Sequence, residues 1–118
     1  MRKIAVLLVL IFAFQANAQK VKTITLEQTK GEFTQKSLNL SEGTYVFEIF
    51  NNQVGHDVGF VLAPKGKTDK ANRIKNAYVT SPVKNNSKSK SKKVSLKKGK
   101  YVYFCPLNPT PQYTLTVE

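Results

Sequence analysis

A chain of 118 residues with a net charge of +12, one cysteine and one histidine has room for a single domain. One cysteine excludes an internal disulfide, and one histidine excludes a metal site built from several histidines of the same chain. With no serine-centred nucleophile elbow, phosphate loop or cysteine pair, no enzyme class has its signature here.

In chain order, the first eighteen residues have the three parts of an export signal. Met1, Arg2 and Lys3 form a basic start, Ile4 to Phe14 an apolar run, and Ala16-Asn17-Ala18 a small-x-small cleavage site. The run is too short to span a bilayer as a helix. The expected domain is therefore 19–118, in a periplasmic or secreted, oxidising setting. It keeps 17 basic and seven acidic side chains, a net +10.

"VKTITLEQ" alternates loosely, and "FTQKSLNL" leads to the turn "SEG". "TYVFEIFN" alternates Tyr45, Phe47 and Ile49 against Val46, Glu48 and Phe50, and its β-branched and aromatic content predicts a strand. After the turn "NNQVG", "HDVGFVLA" predicts a strand with His56, Val58, Phe60 and Leu62 on one face, closed by Pro64. Residues 65–82 hold room for one short helix, with Thr68 or Asp69 as N-cap. "SPVKNNSKSKSK" is polar and repetitive, and is expected to be exposed and mobile. "KKVSLKKGKYVYFC" returns to strands around a turn at Lys98-Gly99, and "QYTLTVE" predicts a last strand with Tyr113, Leu115 and Val117 on one face. About seven strands without a strand–helix–strand rhythm predict an all-β, antiparallel-rich sandwich.

Eight lysines crowd residues 84–100: Lys84, Lys88, Lys90, Lys92, Lys93, Lys97, Lys98 and Lys100. Such a run attracts an acidic protein or an anionic surface, or simply keeps a solvated face soluble. Nucleic acid fits poorly with export, and no aromatic residue interrupts Lys84–Lys93. A monomer is expected.

Two residues can carry chemistry. His56 opens its expected strand and Cys105 closes another, so both fall at one pole of a sandwich, where they can converge on an ion. Alternation puts Cys105 on the face of Tyr101 and Tyr103; if that face is inward, the thiol enters the core. Each residue also has a plain structural use, the cysteine as a small buried hydrophobe and the histidine as a hydrogen-bonding turn residue. A Cys–His nucleophile pair would lack both an orienting acid and an oxyanion hole, so no enzyme activity is expected.

Two stretches, "GTYVFEIFNNQVGHDVGFVL" and "LKKGKYVYFCPLNP", resemble the cupredoxins, small blue-copper proteins of the plastocyanin and amicyanin type. The resemblance implies a Greek-key β-sandwich with copper at its loop-rich end. It places His56 at the first imidazole position and Cys105 at the thiolate position. It also shows departures. Asn108 stands three residues after the cysteine, where short-loop members carry the second histidine, and Pro111, Gln112 and Tyr113 stand where the axial methionine is found. Gln112 offers at most a weak axial oxygen, and Asp57 replaces the usual asparagine after the first histidine.

A type 1 site takes two imidazoles and a thiolate in a trigonal set. His56 and Cys105 supply two of those three, enough for Cu(I) and too few for Cu(II). Pro106, Pro109 and Pro111 restrict φ along the loop and can hold it without an ion. The expected protein is a periplasmic or secreted cupredoxin-like binding or accessory module with a degenerate type 1 copper site. The alternative is a copper protein, a Cu(I) carrier or an electron-transfer protein, that uses His56 and Cys105 and borrows a ligand from a partner.

Overall fold

The computed structural model describes residues 20–118. The expected export signal, 1–18, lies outside the described residues. Among the described residues nine strands follow one another: β1 Val21–Thr29, β2 Glu32–Phe33, β3 Ser37–Leu40, β4 Gly43–Asn51, β5 Val61–Pro64, β6 Lys88–Lys90, β7 Val94–Leu96, β8 Gly99–Phe104 and β9 Tyr113–Val117. They form two sheets, one with the order β2-β1-β4-β6 and β7 also on β4, the other β3-β9-β8-β5. Pairing is mostly antiparallel, with β1 parallel to β4 and β3 parallel to β9. The expected antiparallel-rich sandwich is the fold.

Alternation builds the core. In β4, Tyr45, Phe47, Ile49 and Asn51 are buried, while Val46, Glu48 and Phe50 lie on the half-exposed face. From the other sheet come Leu62, Tyr103, Leu115 and Val117, all with 2% exposure or less. Phe33 packs edge-on against Tyr103 at 5.2 Å between ring centroids, and Phe47 lies 5.2 Å from Phe60. Each such side chain contributes about 1.5–3 kcal/mol by leaving water. The Tyr103 hydroxyl donates to the Gln35 carbonyl at 2.5 Å. Burial, with Tyr113 adding to it, pushes this phenol up to about 12.

Three local expectations need correction. First, "HDVGFVLA" is not one strand, because β5 begins only at Val61. Upstream, Gln53 and Gly55 have φ of 58° and 101°, and Val58 makes an isolated bridge with Val83. Within the segment, Gly59 spends its N–H on Cys105 Sγ and its carbonyl on Gln28 Nε2, so neither joins a ladder. Second, 65–82 holds two single 3₁₀ turns, Lys70–Asn72 and Lys75–Ala77, in place of one short helix. Asp69 is the N-cap of the first, but its Oδ1 accepts from the Asn72 side chain at 2.7 Å and makes no capping bond to the backbone. Ile74 separates the turns because its N–H is drawn to the Leu62 carbonyl of β5 at 2.8 Å.

Third, the serine–lysine repeat expected to be mobile forms β6, with Phe50 opposite Lys88 and Glu48 opposite Lys90. Register resumes with Tyr45 opposite Val94, so three residues of this edge oppose two of β4, a β-bulge. Buried Ser91 fills it: its Oγ accepts from Phe47 N–H at 2.9 Å and donates to the Lys92 carbonyl at 2.7 Å. Among the described residues no helix is long and apolar enough to cross a membrane.

Candidate functional site at the cysteine pole

In the register of β5 and β8, Val61 lies opposite Phe104. The segment just before β5 and the residue just after β8 therefore lie at the same pole. Cys105 follows Phe104 and is 1% exposed. It continues the inward face of Tyr103, as alternation predicts. Its Sγ accepts two backbone N–H groups, from Gly59 at 3.4 Å and from Asn108 at 3.3 Å. Its own N–H donates to Thr110 Oγ1 at 3.1 Å. A thiol sulfur is a weak acceptor, so two amide donors fill what it can take.

Asn108 is buried at 4% exposure. Its Nδ2 donates to Gln28 Oε1 at 3.1 Å and to the Thr29 carbonyl at 2.8 Å, and its Oδ1 accepts from Gly31 N–H at 2.7 Å. Both amide donors are thus used. Gly31 sits in the turn joining β1 to β2 with φ of 75°, which a glycine adopts without strain. Gln28, fully buried at the end of β1, returns a bond from Nε2 to the Gly59 carbonyl at 2.7 Å. Cys105, Gly59, Gln28 and Asn108 consequently form a closed ring of hydrogen bonds that joins both sheets and the 105–112 loop.

His56 is placed differently. Its side chain is exposed, and Nδ1 lies 2.9 Å from the Asp57 carbonyl. That contact suits an Nδ1–H donor and leaves Nε2 as the ring's one lone pair. The His56 carbonyl is held by Asn51 Nδ2 at 2.8 Å, and the same amide reaches the Val83 carbonyl at 3.0 Å. No hydrogen bond joins the imidazole to the Cys105 thiol among the described residues. Gln112 is exposed. Among the described residues no group of three His, Cys, Asp or Glu side chains comes close enough to hold an ion.

The residues that organise the pole are Gln28 and Asn51, which lie opposite each other in the register of β1 and β4 and are both fully buried. Sequence reasoning did not single them out. The signal was present: each is a polar residue in the inward phase of its strand, after Ile24 and Leu26 in one and after Phe47 and Ile49 in the other.

Two mixed sheets packed as a sandwich, with the cysteine at the end of the penultimate strand, make a cupredoxin fold. Solved structures agree. The chain is similar to auracyanin A, a "blue" copper protein of Chloroflexus aurantiacus, with 20% identity and a TM-score of 0.67 over 84% of this chain and 100% of that one. It is similar to auracyanin B, with 20% identity and a TM-score of 0.65 over 82% and 88%. Amicyanin from Paracoccus versutus follows at 14% identity and 0.55 over 81% of each chain. No protein-family model and no curated protein sequence matches the chain. At these identities the likeness establishes the fold.

Proposed function

We propose that the protein is an exported binding or accessory module with the cupredoxin fold, not an enzyme, in which hydrogen bonds have replaced a type 1 copper site. The observation that carries this is the closed ring of Cys105, Gly59, Gln28 and Asn108. A type 1 ion needs two imidazoles and a thiolate around it. Where the resemblance expects the second imidazole, the Asn108 amide has both donors engaged within the protein. Where it expects the first, His56 is an exposed side chain turned to the neighbouring Asp57 carbonyl. These residues do not fit a type 1 copper ion, and no electron-transfer step is assigned to the chain. The signal-like pattern of 1–18 supports export, with 19–118 as the functional domain.

A second reading has one observation in its favour. The His56–Gly59 segment and Cys105 share the pole, so His56 and Cys105 remain the pair through which Cu(I) would be held. Calorimetric titration with Cu(I) of the protein, His56→Ala and Cys105→Ser separates the two. The binding-module reading predicts no tight site that depends on both residues. Tight Cu(I) binding lost in each variant would replace it with a Cu(I) carrier.

A further inference from the structure

Three large apolar side chains are exposed among the described residues: Val21, Tyr78 and Leu107. Two of them, Tyr78 and Leu107, border the same groove of about 330 Å³, whose walls include Val58, Phe60, Pro82 and Pro106. Leu107 is 59% exposed although both its neighbours are restrained. Pro106 has a fixed φ, and Asn108 is pinned by its ring of hydrogen bonds. An apolar side chain held outward on a fixed loop loses little further freedom on binding, which favours affinity.

Ser81 and Pro82 also wall a second depression of about 240 Å³, lined by Lys84, Ser87 and Lys88. Lys84, Lys88, Lys90, Lys92 and Lys93 are all exposed. None of them has a carboxylate partner, since the one ion pair among the described residues joins Lys36 and Glu32. An apolar slot and a cationic shelf free of carboxylates therefore share Ser81 and Pro82 as a common wall, with the Lys88 ammonium 5.8 Å from the Phe50 ring centroid.

We infer that this surface docks an acidic segment of a partner protein, with one apolar side chain in the groove beside Leu107 and its carboxylates over Lys84 and Lys88. The occupant follows from charge: 17 basic against seven acidic side chains in 19–118 select for an anionic partner. The groove adds what charge alone lacks, a fixed position for one side chain. Burial of that side chain supplies affinity, while the lysines raise the encounter rate and reject cationic competitors.

The inference deepens the binding-module reading and rests on it. The two fail separately, because copper titration does not involve the groove. The probe is a synthetic peptide carrying one phenylalanine beside a run of glutamates, added to the protein while amide chemical shifts are followed. Shifts are expected in 58–61, in the non-proline residues of 78–89 and at Leu107, with affinity falling as salt is added. Leu107→Ser, and separately Lys84→Glu with Lys88→Glu, are each expected to weaken binding about tenfold or more. All three positions are exposed, and thermal unfolding checks that the variants remain folded. Equal binding of a peptide lacking the phenylalanine would overturn the proposal. So would unchanged affinity in both variants, or binding to phosphatidylglycerol vesicles with none to the peptide.

Discussion

Asn108 makes four hydrogen bonds, to Gly31, Thr29, Gln28 and Cys105, which lie on three different parts of the pole. Alanine at this position would strand the Gly31 N–H, the Thr29 carbonyl and the Gln28 amide oxygen away from full partnership. Asn108→Ala is expected to lose about 3 kcal/mol of stability, as befits a buried network that is only partly satisfied. Urea denaturation measures it; a loss near zero would mean that the ring closes with water. Tyr103 gives a pH-dependent companion. Its phenol is held up to about 12 by burial, against an ordinary value near 10. The folded state therefore holds this proton more tightly than the unfolded chain does. The resulting stability is complete below about pH 10 and is lost as pH rises from there to about 12. Tyr103→Phe, which gives up the bond to Gln35, is expected to cost about 1 kcal/mol at neutral pH. The gap between the two proteins should narrow above pH 10. A gap that widens with pH would contradict this assignment.

At the scale of elements, β4 and β9 were legible because each alternates, and β8 because its β-branched and aromatic run follows the turn at Gly99. The expected strand "HDVGFVLA" failed for a physical reason. Alternation grouped His56 with Val58, Phe60 and Leu62; the last three are buried, but His56 is exposed and Val61 and Ala63 are buried as well. Nor does alternation record where the backbone N–H groups go, and Gly59 gives its own to a sulfur forty-six residues away in sequence. The polar repeat 84–90 misled in the opposite direction. Its composition resembles a solvated loop, yet β4 needs a neighbour to satisfy its edge, and β6 supplies one with lysines outward. Lys88 and Lys90 on this edge deter pairing with another chain. Replacing both with valine is expected to produce concentration-dependent self-association, visible by sedimentation velocity. A variant that stays monomeric at high concentration would show that the bulge at Ser91 alone protects the edge.

Taken as a whole, the molecule has the cupredoxin fold, with the cysteine pole closed by hydrogen bonds among Cys105, Gly59, Gln28 and Asn108. The sandwich was legible from strand alternation and turn residues, and its cupredoxin topology from the resemblance carried by two stretches. The composition of the pole was only half legible. That no histidine follows Cys105 was plain in the sequence, but the bonds Asn108 makes there depend on Gln28, eighty residues distant, and no local pattern announces that pairing. The absorption spectrum of the protein mixed with Cu(II) tests this claim most directly. An intense blue band arises when a thiolate is held on Cu(II) within a full trigonal set. The closed ring predicts no such band, with Cys105 at most oxidised by excess copper. A stable blue species with one copper per monomer, lost in Cys105→Ser, would contradict the account.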